Sequence, residues 1–370
     1  MMTEKTIHFK ASKPFSLGVE IEFQVLDRNS LKLVPRAPEI LAMVPAHLKD
    51  RIKPEFIRSM IEVNTEICSN MDHVKNNLTE LIRLTETLAE KNSCLLFAAS
   101  LHPFARHNDQ ELSDNPRYAR IMNELQLVGR RFMAQGLHVH VGMTDSTAAI
   151  KVCDSIRLYL PILLALTCSS PYYEGIDTGL HSYRSKLFNA LPLAGMPEQL
   201  ESWDKYLQMV RLLTNTGIIT DVRDLWWDVR LHPDFGTVEI RICDLPSTFT
   251  EILAIVALIQ ALVAEITGSG KHFDPNMQVL ESNKWQASRY GLAGTFVNPL
   301  LEKRISMQDA AVELFDKVAP VMAQLGTNRY LSDLQQILES GTSADQQRKI
   351  FSEQQDLAAI IKKLHPKFWQ

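Results

Sequence analysis

The stretch SLGVEIEFQVL, residues 16–26, decides the fold. It is rich in β-branched and aromatic residues and it alternates. Val19, Ile21 and Phe23 fall on one side, and Glu20 and Glu22 on the other. In a strand, residues i and i+2 share a face. The pattern therefore predicts a strand with one apolar face and one acidic face.

The same signature recurs outward along the chain. GLHVHVG at 136–142 pairs His138 with His140, and GTVEIRICD at 236–244 pairs Glu239 with Arg241. MIEVNTEI at 60–67 sets Glu62 between Ile61 and Val63. Residues 226–231 and 237–243 read as two strands around a loop that holds Pro233 and Gly236, which predicts a hairpin. Residues 94–100 read as a further strand. Apolar spacing predicts helices over 72–92, 115–133, 147–167 (kinked at Pro161) and 248–267, and again beyond Asp309. Strands joined by hairpins and mixed with long helices predict an α+β fold with a mainly antiparallel sheet and flanking helices. Residues 1–370 read as a single domain, with a helical C-terminal part from about residue 300.

Composition narrows the function. The chain has 370 residues, 45% of them hydrophobic, enough for a large core. The formal net charge is -4 and no run of Lys and Arg exceeds a pair, so no nucleic-acid partner is expected. The N-terminus shows no apolar signal core, and the greasy stretch 252–264 is interrupted by Gln260, so it reads as a buried helix rather than a membrane span. Five cysteines without CxxC spacing predict free, buried thiols and a cytoplasmic setting. GSGK at 268–271 lacks the Walker spacing, because Glu265 stands where a glycine is required.

A polar strand face taken alone ordinarily meets water. Several such strands with apolar flanks are different: carboxylates crowded on one face repel one another unless cations lie between them. Oxygen ligands with an imidazole suit Mg²⁺ or Mn²⁺, and Arg241 on that face suits a phosphate. Glu55, before the Glu62 strand, is a further acid of the same kind. Metal ions and arginines around a phosphate fit ATP-driven activation of a carboxylate for attack by an amine.

SLGVEIEF, MIEVNTEIC, GLHVHVG, YRSKLFNALP, WWDVRLHPDFGTVEIRICD and NKWQASRYGLAG follow in that order. Together, from about Phe15 to Gly294, they resemble the type 2 bacterial glutamate–cysteine ligases, or carboxylate–amine ligases. The resemblance implies a curved antiparallel sheet like that of glutamine synthetase, with ATP and Mg²⁺ or Mn²⁺ as cofactors. It implies Glu20, Glu22, Glu62, Glu239 and His138 as metal ligands, with Glu55 as a further one. Catalysis would fall to Glu239 and Arg241, and the nucleotide to His138, His140 and Arg241. Arg184, Arg230 and Arg289 would hold the carboxylate substrate. The implied reaction joins the glutamate γ-carboxylate to the cysteine amine through an acyl phosphate, and base rates add a homodimer. A phosphotransferase to a guanidinium or amine, a non-catalytic nucleotide or metal sensor, and a metal-dependent hydrolase built on the HVH pair stay open as alternatives.

Overall fold

The structure is a computed structural model and describes residues 7–269 and 275–370. Gly270 and Lys271 of the GSGK segment lie outside the described residues. Seven strands form the main sheet: β1 (Leu17–Asp27), β2 (Ile52–Pro54), β3 (Met60–Asn64), β4 (Cys94–Phe97), β5 (Leu137–Gly142), β6 (Val229–His232) and β7 (Thr237–Ile240). Their order is β6-β7-β5-β1-β3-β2, with β4 paired to the far half of β1, and every pairing is antiparallel. β1 is long enough to pair β5 through residues 17–21 and β4 through residues 24–27 on the same side. The expected α+β class with an antiparallel sheet is the observed one.

Leu17, Val19, Ile21, Phe23 and Val25 are each no more than 1% exposed. Their face of the sheet is covered by helices α1 (Met71–Lys91), α3 (Ser146–Ile156) and α5 (Phe249–Gly268), the last buried nearly throughout. α5 is the one described helix long and apolar enough to cross a membrane, but its apolar side chains are in the core. Asn70 caps α1 by accepting from the His73 N–H at 2.9 Å, and Thr248 caps α5 through the Glu251 N–H. The helices Met307–Gln324 and Tyr330–Ser340 pack on α5 from outside. All five cysteines are free and buried.

Element ends depart from the sequence reading for local reasons. The helix expected over 115–133 breaks at Gln126, whose φ of 50° no helix accommodates; α2 (Pro116–Leu125) ends there and a short helix, Leu127–Arg131, follows. The helix expected over 147–167 is two, because Pro161 starts α4 (Leu160–Thr167) instead of kinking a continuous helix. β3 ends at Asn64, where the Thr65 hydroxyl accepts from the Val19 N–H. β7 ends at Ile240, so Arg241 lies just past the strand. Trp226–Trp227 pairs in parallel with Ala194–Gly195 outside the main sheet.

The β6–β7 turn depends on Gly236. Its φ is +65°, and a Cβ there would lie 1.7 Å from the Lys10 carbonyl oxygen of the N-terminal segment laid across the hairpin. Gly217 has a similar φ of +74°, but a Cβ added there would meet nothing within 4 Å. Gly217→Ala should therefore cost about 1 kcal/mol from backbone strain alone, and Gly236→Ala at least about 2 kcal/mol more because backbone must move. Melting temperatures of the two variants check this, and equal losses would remove the Lys10 contact from the account.

Candidate metal and nucleotide site

The polar face of the sheet floors a cavity of about 400 Å³. Cross-strand pairing brings distant residues together on that floor: Arg230 opposite Glu239, Glu239 opposite His140, Glu20 opposite His138, and Glu22 opposite Glu62, which pairs in turn with Lys53. The i, i+2 spacing of each strand becomes two ranks of side chains across the sheet.

The first rank contains Glu20, His140 and Glu239, with ligand atoms all within 4.8 Å of one another. His140 Nε2 lies 3.4 Å from Glu20 and 3.8 Å from Glu239. Its other nitrogen is 2.9 Å from the Thr237 hydroxyl, which fixes the ring. Glu239 is 1% exposed. Burial alone would push its carboxyl pKa up, but Arg230 at 2.8 Å and Arg241, also bonded to it, together hold it well below the usual range. Glu20 is likewise held low, because hydrogen bonds from His138 and His140 and the charge of His140 outweigh its burial.

The second rank contains Glu22, Glu55 and Glu62, again within 4.8 Å. Lys53 sits 3.0 Å from Glu62, and the Gly136 N–H donates to Glu22 at 2.7 Å. Here burial dominates. It raises Glu22 to about 7, although Arg184 and Arg241 pull the other way. Burial also raises Glu55 well above the usual carboxylate range, helped by repulsion from Glu22 and Glu62. Carboxylates pushed toward protonation by one another are carboxylates that lack a counter-charge.

His138 stands between the ranks. Nδ1 is 3.4 Å from Glu20 and 3.9 Å from Glu22. Burial, with Arg241 adding to it, lowers its pKa to about 4, so the imidazole is neutral, as a ligand must be. The carboxylates of the two ranks, with the neutral His138 imidazole between them, suit hard divalent cations. Arg241 keeps a buried Nε without a protein partner among the described residues, a donor left for an anion.

Comparison with known proteins identifies the family. The family model described as glutamate-cysteine ligase family 2 matches residues 16–360. The chain belongs to that family. Relatives provisionally named glutamate–cysteine ligase 2 include one from Gloeobacter violaceus, 37% identical over 362 residues (96% of this chain, 97% of the relative). Another, from Thermobifida fusca, is 36% identical over 371 residues (98% and 93%). Among solved structures, glutamate–cysteine ligase from Francisella tularensis in complex with AMP matches with a TM-score of 0.73 at 14% identity, over 97% of this chain and 90% of that one. A bifunctional glutathione synthetase from Pasteurella multocida matches with a TM-score of 0.71 at 15% identity, over 95% of this chain and 52% of that one. At those identities the two structures establish the fold. Family membership makes the chain an ATP-dependent ligase that forms C–N bonds.

The cavity wall includes Glu20, Glu22, Glu55, Glu62, His138, His140, Arg230, Glu239 and Arg241 of the residues singled out in the sequence. Arg184 and Arg289, expected at the substrate, are elsewhere. Arg184 is 2% exposed and runs beneath the floor, donating to the carbonyls of Arg241 at 3.1 Å and Ile242 at 3.2 Å, beside Asp244 at 3.8 Å. Arg289 donates to the Gly179 carbonyl and lies over the Tyr290 ring. A sequence shows that an arginine is present but not which way it points. Arg230 does reach the cavity, but its donors are spent on Glu239 and on the carbonyls of Arg223 and Leu225. Lys53, Arg117, Arg223 and Trp226 also line the wall and were not foreseen. Lys53 had a signal: it precedes Glu55 by the same two-residue step that marked the other strands.

The raised Glu22 and Glu55 make metal binding pH-dependent. Folded, metal-free protein holds protons there that the unfolded chain releases above its ordinary carboxylate pKa near 4.5. Their stabilisation is present at low pH and is lost as pH rises, through about 7 for Glu22. A divalent cation replaces the proton. In chelator-treated protein, the rise in melting temperature on adding Mg²⁺ should be small at pH 5 and at least about twice as large at pH 8. Equal rises at both pH values would show that the ion binds elsewhere.

Proposed function

We propose that this ligase phosphorylates the γ-carboxylate of glutamate with ATP and passes the acyl group to an amine, cysteine being the acceptor that the family's name implies. The observation that carries the reading is the pairing of two adjacent carboxylate ranks with Arg230 and Arg241 on one buried sheet face. Glu20, His140 and Glu239 would hold one Mg²⁺ or Mn²⁺, and Glu22, Glu55 and Glu62 a second. Bound there, the ions would neutralise charge on the phosphate oxygens and orient them.

The protein's own groups account for the rest. Arg241 directs its free Nε to the transferring phosphoryl group and stabilises charge that spreads over its oxygens. Glu239 fixes that guanidinium in place and holds Arg230 beside it. A glutamate γ-carboxylate oxygen takes the terminal phosphoryl group and ADP leaves. The incoming ammonium loses one proton to solvent, and its nitrogen attacks the acyl carbon. The C–N bond forms, the C–O bond to phosphate breaks, and the second proton passes to the departing phosphate. Neutral His138 orients Glu20 and Glu22 without adding positive charge.

The test is ADP release with Mg²⁺, ATP, glutamate and an amine, with the amide identified by mass spectrometry. Glu239→Gln should lose activity by about 10²-fold or more. It also strips a counter-charge from two buried guanidiniums, at a cost of about 3–5 kcal/mol in stability. Glu20→Gln is the cleaner variant, since Glu20 neighbours imidazoles instead, and it should lose a similar factor while circular dichroism shows an intact fold. Full activity in a folded Glu20→Gln protein would end the assignment of the first rank.

A further inference from the structure

The cavity has two unlike ends along the strand direction. The β6–β7 hairpin forms one. There His232 and Phe235 stack face to face, 4.0 Å between centroids and 4° apart in plane, and Phe235 is 59% exposed. His140 of the first rank touches both rings edge-on. At the other end the wall is apolar: Phe56, Met60, Tyr118, Phe132, Phe188 and Leu191. Its rings meet edge to face, Phe132 with Phe188 at 4.8 Å and Phe56 with Tyr118 at 5.5 Å. This end adjoins the second rank. Phe56 follows Glu55 in the chain, and Ala134 on the wall lies two residues before Gly136, whose N–H holds Glu22.

We propose that this apolar end seats the amine acceptor, and that it selects an acceptor with a bulky aliphatic or aromatic side chain over cysteine. The inference rests on the ligase reading above. The triphosphate needs cations, and Arg230 and Arg241 converge on the first rank; the nucleotide therefore lies toward the hairpin, where Phe235 offers an open ring face for a base. The acyl carbon must lie between the ranks. The attacking nitrogen then comes from the side of the second rank, and whatever the nitrogen carries enters the ring-lined end. A CH₂SH group is too small to cover four rings, a methionine and a leucine. In an apolar pocket each methylene left unfilled lowers kcat/KM by roughly 10-fold or more. Asn115 and Arg117 at the rim supply donors for a carboxylate on the same acceptor. The bond changes are those of the amide step already written, with phosphate as leaving group.

The experiment uses the full chain with Mg²⁺, ATP and glutamate against L-phenylalanine, L-leucine, phenethylamine, glycine and L-cysteine, reading ADP and amide mass. Phenylalanine or leucine should exceed cysteine and glycine in kcat/KM by about 10-fold or more. Leu191→Ala and Phe132→Leu should raise KM for the preferred acceptor by about 10-fold while KM for ATP stays within about 2-fold. Faster turnover of cysteine or glycine would overturn the proposal and leave the ligase reading standing. A rise in KM for ATP in these variants, in place of the acceptor's, would make this end the base seat and overturn it as well. Acceptor-independent ADP release, with no amide from any amine, would overturn the ligase reading and the proposal together.

Discussion

Five carboxylates share one buried sheet face, and their mutual repulsion is the constraint that the rest of the site answers. The two ranks answer it differently. In the first, Arg230 and Arg241 grip Glu239 and two imidazoles attend Glu20, so both acids stay ionised. In the second, one lysine faces three acids, and Glu22 and Glu55 are driven toward the protonated form. Burying a charge without a partner costs several kcal/mol. The second rank is thus left short of positive charge in a way the first is not. A cation supplied from solution would restore the balance, which would link the sheet's electrostatics to the proposed chemistry.

Holding such a face requires a stiff frame beneath it, and two buried ion pairs supply one. Arg184 and Asp244, with Ser169, Ser170 and Ser182 donating to the carboxylate, fix the carbonyls of Arg241 and Ile242 just past β7. Lys284, 1% exposed, donates to Asp228 at 2.6 Å and Asn189 at 3.0 Å, and the Asp228 carbonyl in turn accepts from the Arg241 N–H. Arg184 and Asn189 of YRSKLFNALP and Lys284 of NKWQASRYGLAG therefore act on the site from below, while Phe188 and Leu191 of the first motif reach the cavity wall. Gly136 fits this frame: a Cβ there would lie 2.4 Å from the Arg184 guanidinium.

This explains what was legible in the sequence and what was not. Strand alternation has period two and marks faces directly, so the residues that floor the cavity from β1, β3, β5 and β7 could be picked from SLGVEIEF, MIEVNTEI, GLHVHVG and GTVEIRICD. Arg184 and Arg289 share their residue type with Arg230 and Arg241 of the cavity wall, and only packing shows that both point elsewhere. The helix breaks at Gln126 and before Pro161 arise from backbone conformations that apolar spacing does not report. The apolar end of the cavity had no signal at all. Phe56, Phe188 and the pair Tyr118 and Phe132 come from three separate stretches, only the last with helical spacing, and each reads alone as ordinary core.

The roof over that apolar end follows from the same electrostatics. None of the residues of α2 is buried, yet Tyr118, Ile121 and Leu125 face the cavity. Tyr118, Ile121 and Met122 pack on the Phe56–Met60 cluster, and charge adds to this: Arg117 and Arg120 each lie 3.4 Å from Asp224, which also accepts from Thr220. The Arg223 carbonyl next to that aspartate accepts from Arg117 of the roof and from Arg230 of the floor, at 3.3 and 3.1 Å. A helix with no fully buried residue opens at low free-energy cost, even with its partly exposed arginines paired to the buried Asp224. The acyl phosphate proposed above would need water kept out during chemistry and substrates let in before it. A loosely held helix over the apolar end, joined through one shared carbonyl to the guanidinium that grips Glu239, would suit both needs.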